Sequence, residues 1–123
     1  MPPVTRQIPT IIIPTVGAGT ETIADTAQHA SQALPVWPLQ EKQASVIAIM
    51  AGAPGPLNCW VEISSSGLPG TWVLPGAIAT LVASGGLPLA WTVHSSYARV
   101  VMQAPAWAAG SWTVVVTFEA KTP

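Results

Sequence analysis

The side chains that could do chemistry in this chain are few and widely separated. Its histidines are His29 and His94, and neither stands in an HExxH or HxH motif that would bring two metal ligands together. The five carboxylates are Glu21, Asp25, Glu41, Glu62 and Glu119. Glu21 and Asp25 are the closest acidic pair, but no pattern directs them into a cleft. We therefore predict no metal site and no paired-carboxylate active site.

Candidate nucleophiles are equally poor. Cys59 is the single cysteine, so the chain can form no internal disulfide and no cysteine-based zinc site. It alternates with Val61 and Ile63, which predicts a small buried hydrophobic residue rather than a reactive thiolate. No GxSxG motif occurs, and Ser64-Ser65-Ser66-Gly67 is typical of a turn. We predict that the chain is not an enzyme and has no catalytic residue and no cofactor.

Six tryptophans are the other residues of functional interest, and interfaces are enriched in this residue. Trp37 lies between prolines and Trp107 lies in a loop, so we predict that both contact a partner and that the others pack internally. The alternative is a platform on which sugars stack. Its candidates are Trp37, Trp60, Trp91 and Trp107.

The composition indicates the kind of partner. Of the 123 residues only 7% are charged, against about 25% in ordinary soluble domains, and the formal net charge is −1. A chain without a basic patch does not bind nucleic acid through phosphates. Apolar runs are far shorter than the ~20 residues of a membrane-spanning helix, so we expect no membrane segment. So little charge suits a subunit embedded in a protein assembly.

The elements that position these residues are strands. From Ala44 onward, alternating apolar runs are separated by Gly, Pro and Ser turns, including a break at Ser84-Gly85-Gly86 and a short strand at Thr71–Leu74. Ser45–Ala51 is nearly continuously apolar, which suits a central strand. We predict an all-β fold, an antiparallel, jelly-roll-like β-sandwich of about seven to eight short strands, over residues 21–123.

The clearest pattern is the C-terminal stretch, Ser96 to Lys121, in which two alternating runs flank a Pro/Ala/Gly loop. It predicts a β-hairpin whose core face includes Trp112, Val114, Val116 and Phe118. Matching the apolar faces pairs Val100 with Val116 and Met102 with Val114. Arg99 then lies diagonal to Glu119 on an outer face, and both are interface candidates.

Residues 1–20 are predicted to form an extended N-terminal arm, because four prolines exclude a helix. Ile8, Ile11, Ile12 and Ile13 give the arm an apolar patch that must be buried. It could pack on its own domain or add to the sheet of a neighbouring subunit, and both remain open. Residues 22–34 fit either a short helix or a strand followed by a loop; we favour the strand and loop.

Taken together, the runs SVIAIMAG, WVEISSSG, SSYARVVM and AAGSWTVVVTFEAK resemble the small β-sandwich structural proteins of tailed-bacteriophage virions, such as head decoration and tail-associated subunits. The similarity covers about residues 44–121 and is one of pattern, which sugar-binding and discoidin-like sandwiches share. It implies no catalytic residues.

From the resemblance, the arm and the low charge, we expect a capsid decoration or cement protein. It would form a small homo-oligomer, with a trimer favoured, and bind the major capsid protein or other virion subunits. The start, MPPVTRQIPTIIIP, shows no secretory signal, which suits a virion protein made in the host cytoplasm. The alternatives are a carbohydrate-binding sandwich on a phage tail and a self-assembling extracellular filament subunit.

Overall fold

A computed structural model describes residues 11–12, 21–31, 33–36, 41–74, 76–91 and 95–121. Every regular element in these ranges is a strand, and none is a helix. In chain order the strands are β1 (Ile11–Ile12), β2 (Glu21–Ile23), β3 (His29–Ala30), β4 (Leu34–Pro35), β5 (Glu41–Ala51), β6 (Leu57–Ser64), β7 (Ala79–Leu81), β8 (Gly85–Trp91), β9 (Tyr97–Gln103) and β10 (Ser111–Lys121).

The strands form two antiparallel sheets. Sheet A has the order β1/β2–β10–β5–β8, and sheet B has the order β3/β4–β9–β6–β7. Each slash marks one edge position that two short strands share, so the sandwich has eight strand positions. Numbered along the chain, these positions run 1-8-3-6 in sheet A and 2-7-4-5 in sheet B, which is the order of a jelly roll. The predicted fold class is therefore confirmed.

The core lies between the sheets and follows from alternation along the strands. In β10, Trp112, Val114, Val116 and Phe118 are all at most 3% exposed, as their shared parity predicts. β5 is central, as predicted, but it is buried on one face only. Ala44, Val46 and Ala48 face the core, whereas Ile47 and Ile49, at the alternate positions, are exposed.

The predicted hairpin between β9 and β10 is wrong. β9 pairs with β6 in sheet B, so Val100 lies opposite Val61 and not opposite Val116. β10 pairs with β5 in sheet A, where Val114 lies opposite Ala48. The two strands instead face each other across the core, an arrangement that buries one face of each as well as pairing would.

The loop between them crosses from one sheet to the other. Gly110, at its end, has a φ of +82°, and a Cβ there would lie 2.8 Å from the Ala53 backbone nitrogen. Only glycine fits this position without strain. The Pro/Ala/Gly composition therefore serves a turn between sheets, not a turn within one.

Residues 21–31 and 33–36 contain no helix, and the strand that we favoured at the start of this segment is present as β2, although two further short strands, β3 and β4, follow it. β2 places Ile23 in the core with no exposed surface. The chain then crosses to sheet B, where β3 and β4 pair with β9. Earlier in the chain, β1 pairs with β10 of the same molecule, with Ile11 opposite Phe118.

Two predicted boundaries shift. The expected break at Ser84-Gly85-Gly86 is wrong in part, because β8 begins at Gly85 and both glycines pair with β5. The short strand expected at Thr71–Leu74 is reduced to one bridge, in which Ile63 and Val73 exchange two backbone hydrogen bonds. The alternation of side chains could not indicate either difference. Glycine has no side chain to alternate, and the bridge involves only one residue of the 71–74 segment, Val73.

Candidate interaction surfaces and binding pocket

The outward surface of sheet A, called face A below, is apolar at its centre. Ile47 and Ile49 of β5 are 52% and 62% exposed, although they lie on the central strand of the sheet. Ile47 stands between Val115 of β10 and Gly86 of β8. Because Gly86 has no side chain, the flank of Ile47 that faces β8 is left open to solvent.

Face A carries no charge on any side chain that the structure describes. Its other described members are small, β-branched or polar: Thr22, Gln43, Ser45, Ala51, Gly86, Pro88, Ala90, Ser111, Thr113, Val115 and Thr117. The register places Glu41, Glu119 and Lys121 at one end of the same sheet face, so the uncharged area is the central part, which has a low desolvation cost and no like-charge repulsion against a second protein. Face A can therefore bind a flat protein surface.

The edges of the sheets are less suited to binding. β8 is the longest edge strand, and Pro88 removes one backbone donor from it. The other described edge strands, β1 to β4 and β7, have two or three residues each. Short edges and proline discourage the addition of a foreign strand. Among the described elements, association through a face is favoured over association through an edge.

The outward surface of sheet B, called face B, is organised around an ion pair. Glu62 of β6 lies directly opposite Arg99 of β9 in the sheet register. Glu62 Oε1 accepts hydrogen bonds from the Arg99 Nε, at 3.0 Å, and from an Arg99 terminal nitrogen, at 2.7 Å. The other carboxylate oxygen accepts the indole N–H of Trp60 at 3.1 Å.

Two tryptophans frame this ion pair. The Arg99 guanidinium lies 4.3 Å from the centre of the Trp72 ring, within cation–π range. Trp60 is only 6% exposed and stands opposite Val101, which is 1% exposed. Arg99 and Glu62 thus satisfy each other and their aromatic neighbours. The predicted neighbour of Arg99 was Glu119, and this was wrong because the two residues lie in different sheets.

The loop after β6 positions Trp72. Ser64 Oγ accepts hydrogen bonds from the backbone N–H groups of Ser66 and Gly67, at 3.2 and 2.9 Å. The same hydroxyl lies 2.6 Å from the Thr71 hydroxyl. The serine-rich run is therefore a turn, as its sequence predicted, and it returns the chain alongside β6 just before Trp72.

A charged cluster joins the two sheets. His29 of β3 lies between Glu21 of β2, with Nδ1 3.0 Å from Oε1, and Asp25 of the connecting loop, with Nε2 2.8 Å from Oδ1. Burial of the ring lowers the pKa of His29, but the hydrogen bonds to both carboxylates outweigh burial and hold this pKa above its usual value. The hydrogen bond from His29 lowers the pKa of Asp25.

Sequence reasoning recognised Glu21 and Asp25 as a close pair but did not place His29 with them. The spacing of four residues between Asp25 and His29 was the one sequence feature that could have indicated their contact. Glu21, Asp25 and His29 come together only because the chain crosses from β2 in sheet A to β3 in sheet B. Both ring nitrogens contact a carboxylate. The described residues hold no group of three or more His, Cys, Asp or Glu placed to bind a metal ion.

Of the two other buried reactive groups, Cys59 is inert in this setting. Cys59 lies in the core with no exposed surface, as predicted, and burial raises the pKa of its thiol to about 12. A thiol with so high a pKa is neither a nucleophile nor a metal ligand near neutral pH. Lys42 is 3% exposed, and burial lowers its pKa.

A pocket of about 240 Å³ opens between the edge strands β7 and β8, where the sandwich is not closed by a strand. Its lining residues are uncharged, and backbone polar groups form part of the wall: Val61, Leu74, Gly76, Ala77, Ala79, Pro88, Leu89, Ala90 and Trp91. Trp91 is 6% exposed and meets Phe118 edge to face at 5.6 Å. Its indole N–H is buried and has no hydrogen-bond partner in the described part of the chain.

The remaining predicted site residues are placed as follows. Trp107 is half-buried against the core, and its indole N–H donates to the Gly110 carbonyl at 2.9 Å. Ile11, Ile12 and Glu119 lie in paired strands, and their side chains are not described. Ile8, Ile13 and Trp37 fall outside the described residues. A contact of any of these residues with a partner remains a prediction.

The sugar platform can be checked at three of its four candidates. Trp60 and Trp91 are each 6% exposed, and Trp107 is half-buried. A stacking platform needs two exposed ring faces, so these three do not form one.

The described residues also contain no helix long and apolar enough to cross a membrane.

No protein-family model and no curated protein matches the chain. Among solved structures, the crystal structure of PirA is similar with a TM-score of 0.52 and 11% identity, over 93% of this chain and 92% of that chain. A structure of the infectious bursal disease virus Gx strain has a TM-score of 0.49 and 11% identity, over 98% of this chain. This chain spans only 33% of that viral chain. At these identities the likeness to PirA shows a shared fold alone.

Proposed function

We propose that the chain is a non-enzymatic structural subunit of a virion, a decoration or cement protein that binds the assembled head through face A. The observation that carries this proposal is the pair of exposed isoleucines, Ile47 and Ile49, at the centre of a sheet face without described charge. Jelly rolls build capsid domains as well as lectins, so the fold permits this role but does not select it.

The mechanism follows from linkage. A subunit that binds the assembled head but not its dissociated parts stabilises the head by mass action. Face A supplies the apolar area for this contact. Face B supplies little binding energy, because its charged and aromatic groups already satisfy one another. A small homo-oligomer, such as a trimer, would present several copies of face A to neighbouring capsid subunits and so strengthen binding.

The test uses heads assembled from the major capsid protein of the virus that encodes the chain, heated with and without the purified protein. We expect the temperature at which heads release their contents to rise when the protein is bound. An unchanged release temperature together with no co-sedimentation would overturn the proposal.

The role of face A is tested by charge insertion. Ile47→Lys combined with Ile49→Lys is expected to weaken co-sedimentation with heads at least tenfold, because each buries a charge at the centre of the contact. Val82→Lys is the matched control, since Val82 is 75% exposed and lies outside face A. If both variants bind as the unmodified protein does, face A is not the contact surface.

A further inference from the structure

We propose that His29 is a proton-dependent switch on the loop that joins sheet A to sheet B, residues 24–28. While the ring carries two protons, it binds Glu21 and Asp25 together. When the ring loses one proton, it stays with Glu21 and releases Asp25, and the loop opens at that point. The switch is independent of the proposed role of face A in assembly.

The geometry requires a proton on each ring nitrogen. His29 Nδ1 lies 3.0 Å from Glu21 Oε1, and His29 Nε2 lies 2.8 Å from Asp25 Oδ1. An ionised carboxylate only accepts hydrogen bonds, so each contact needs an N–H. Neutral imidazole has one N–H, and its other nitrogen presents a lone pair. Only the imidazolium can therefore keep both contacts.

The two carboxylates differ in their access to water, and this difference decides which contact breaks. The Glu21 side chain is 12% exposed, whereas that of Asp25 is 53% exposed. A carboxylate that loses its donor is destabilised more where water cannot replace that donor. We therefore expect the remaining proton on Nδ1, facing Glu21, while water binds the released Asp25.

Within the described part of the chain, the charges that act on the ring are those of Asp25 and Glu21. The facing position on β9, which pairs with β3, is Met102. The facing position on β10, which pairs with β2, is Val114. Neither adds a titratable group. The two carboxylates hold the pKa of His29 above its ordinary value of 6.5, so the switch is closed below pH 6.5 and opens as the pH rises through the raised pKa.

The opening is local, because other contacts hold the two ends of the loop. The Thr26 carbonyl accepts a hydrogen bond from the Gln103 side chain of β9 at 3.0 Å. Ile23, two residues before Asp25, is fully buried in the core. The Ala27 N–H donates to Asp25 Oδ1 at 3.1 Å, the same oxygen that contacts the ring. We therefore expect Asp25 and Ala27 to become mobile together while β2 and β3 remain paired.

The experiment follows the ring nitrogens of ¹⁵N-histidine-labelled protein and the ¹³C-labelled methyl group of Ala27 from about pH 5 to about pH 9. His29→Asn identifies the His29 resonances by their disappearance. At the alkaline end we expect the Nδ1–H tautomer, which the ¹⁵N shifts of the two ring nitrogens distinguish from the Nε2–H tautomer. We expect the open population measured by Ala27 methyl relaxation to rise about tenfold, the factor that one hydrogen bond to a charged group supplies.

Asp25→Asn is the matched control. Its amide can accept from a protonated Nε2 or donate to a deprotonated one, so the Ala27 methyl relaxation should not change with pH. Three results would overturn the proposal: an Nε2–H tautomer at the alkaline end, Ala27 relaxation that does not change with pH in the unmodified protein, or an equal change in Asp25→Asn. Loss of the core methyl spectrum over the same pH range would also overturn it, because the opening would then be global.

Discussion

The two outward faces of this sandwich have similar strand geometry and opposite chemistry. Face B holds the Glu62–Arg99 ion pair between Trp60 and Trp72, and every polar group named there has a partner within the chain. Face A holds Ile47 and Ile49 more than half exposed and has no described charge. Both faces come from the same alternation of side chains along strands.

The difference shows that how exposed a sheet surface is and whether its side chains are bonded to one another within the chain are separate properties. On face B, stability comes from contacts inside the chain, and removal of one group leaves others unpaired. On face A, the exposed groups contribute little to folding and are available to a partner. Substitutions on face B should therefore change stability, and substitutions on face A should change association.

The largest effect is expected from Glu62→Ala on face B. It leaves Arg99 without its carboxylate and Trp60 without its acceptor, so we expect a loss of about 2–3 kcal/mol in the free energy of unfolding. Urea denaturation measures it. Gln43→Ala on face A is the matched control and should cost less than about 0.5 kcal/mol. Equal costs for the two variants would remove the distinction between the faces.

A smaller effect of opposite sign is expected from Gly86→Thr beside Ile47 on face A. A Cβ at Gly86 meets only the Val46 carbonyl oxygen at 4.0 Å, and the new side chain would cover the open flank of Ile47. We expect a gain of about 0.5–1 kcal/mol, because glycine within a strand is entropically costly. Thermal and urea unfolding measure this gain.

Gly110→Ala is the matched control for this gain, since its positive φ and the nearby Ala53 nitrogen make any side chain strained. It should destabilise the protein. If Gly86→Thr also destabilises the protein, the backbone conformation at position 86 requires glycine. The lack of a side chain there would then have a structural role beyond leaving Ile47 uncovered.

The smallest effect concerns the His29 cluster, which joins sheet A to sheet B. Because the pKa of His29 is raised in the folded chain, its contribution is fully present below the ordinary pKa near 6.5 and is lost as pH rises through the folded value. The lowered pKa of Asp25 works in the other direction: its contribution is present above the ordinary value of 3.8 and is lost on acidification.

We therefore expect the difference in stability between the unmodified protein and His29→Asn to be greatest at about pH 5–6 and to shrink toward about pH 8. Urea midpoints across this range measure it. A difference that stays constant with pH would show that the ring acts only by packing and that its charge does not tie the sheets together.

Much of the fold could be read from local patterns. The alternation in β10 identified Trp112, Val114, Val116 and Phe118 as core residues, and the parity that Cys59 shares with Val61 and Ile63 identified it as buried. Glycine, proline and serine marked the turns. These features depend on period-two geometry within one strand, which is why the sequence alone predicted them.

The candidate surfaces were less predictable. The exposure of Ile47 and Ile49 was hidden in a continuous apolar run, which equally suits a strand buried on both faces. The pocket and the orphaned Trp91 indole depend on β7 and β8 being edges of different sheets, and no local pattern states that. The His29 cluster depends on where the chain crosses between sheets.

The sequence by itself determined that this protein is a strand-built domain with an alternating core, little charge and no recognisable catalytic motif. Only the tertiary structure decided that β9 pairs with β6 and that Arg99 therefore meets Glu62 and not Glu119. The physical reason is that alternation sets which face of a strand is buried, whereas pairing depends on contacts between distant segments. Two strands with matching apolar faces bury those faces equally well side by side in one sheet or opposite each other across the core.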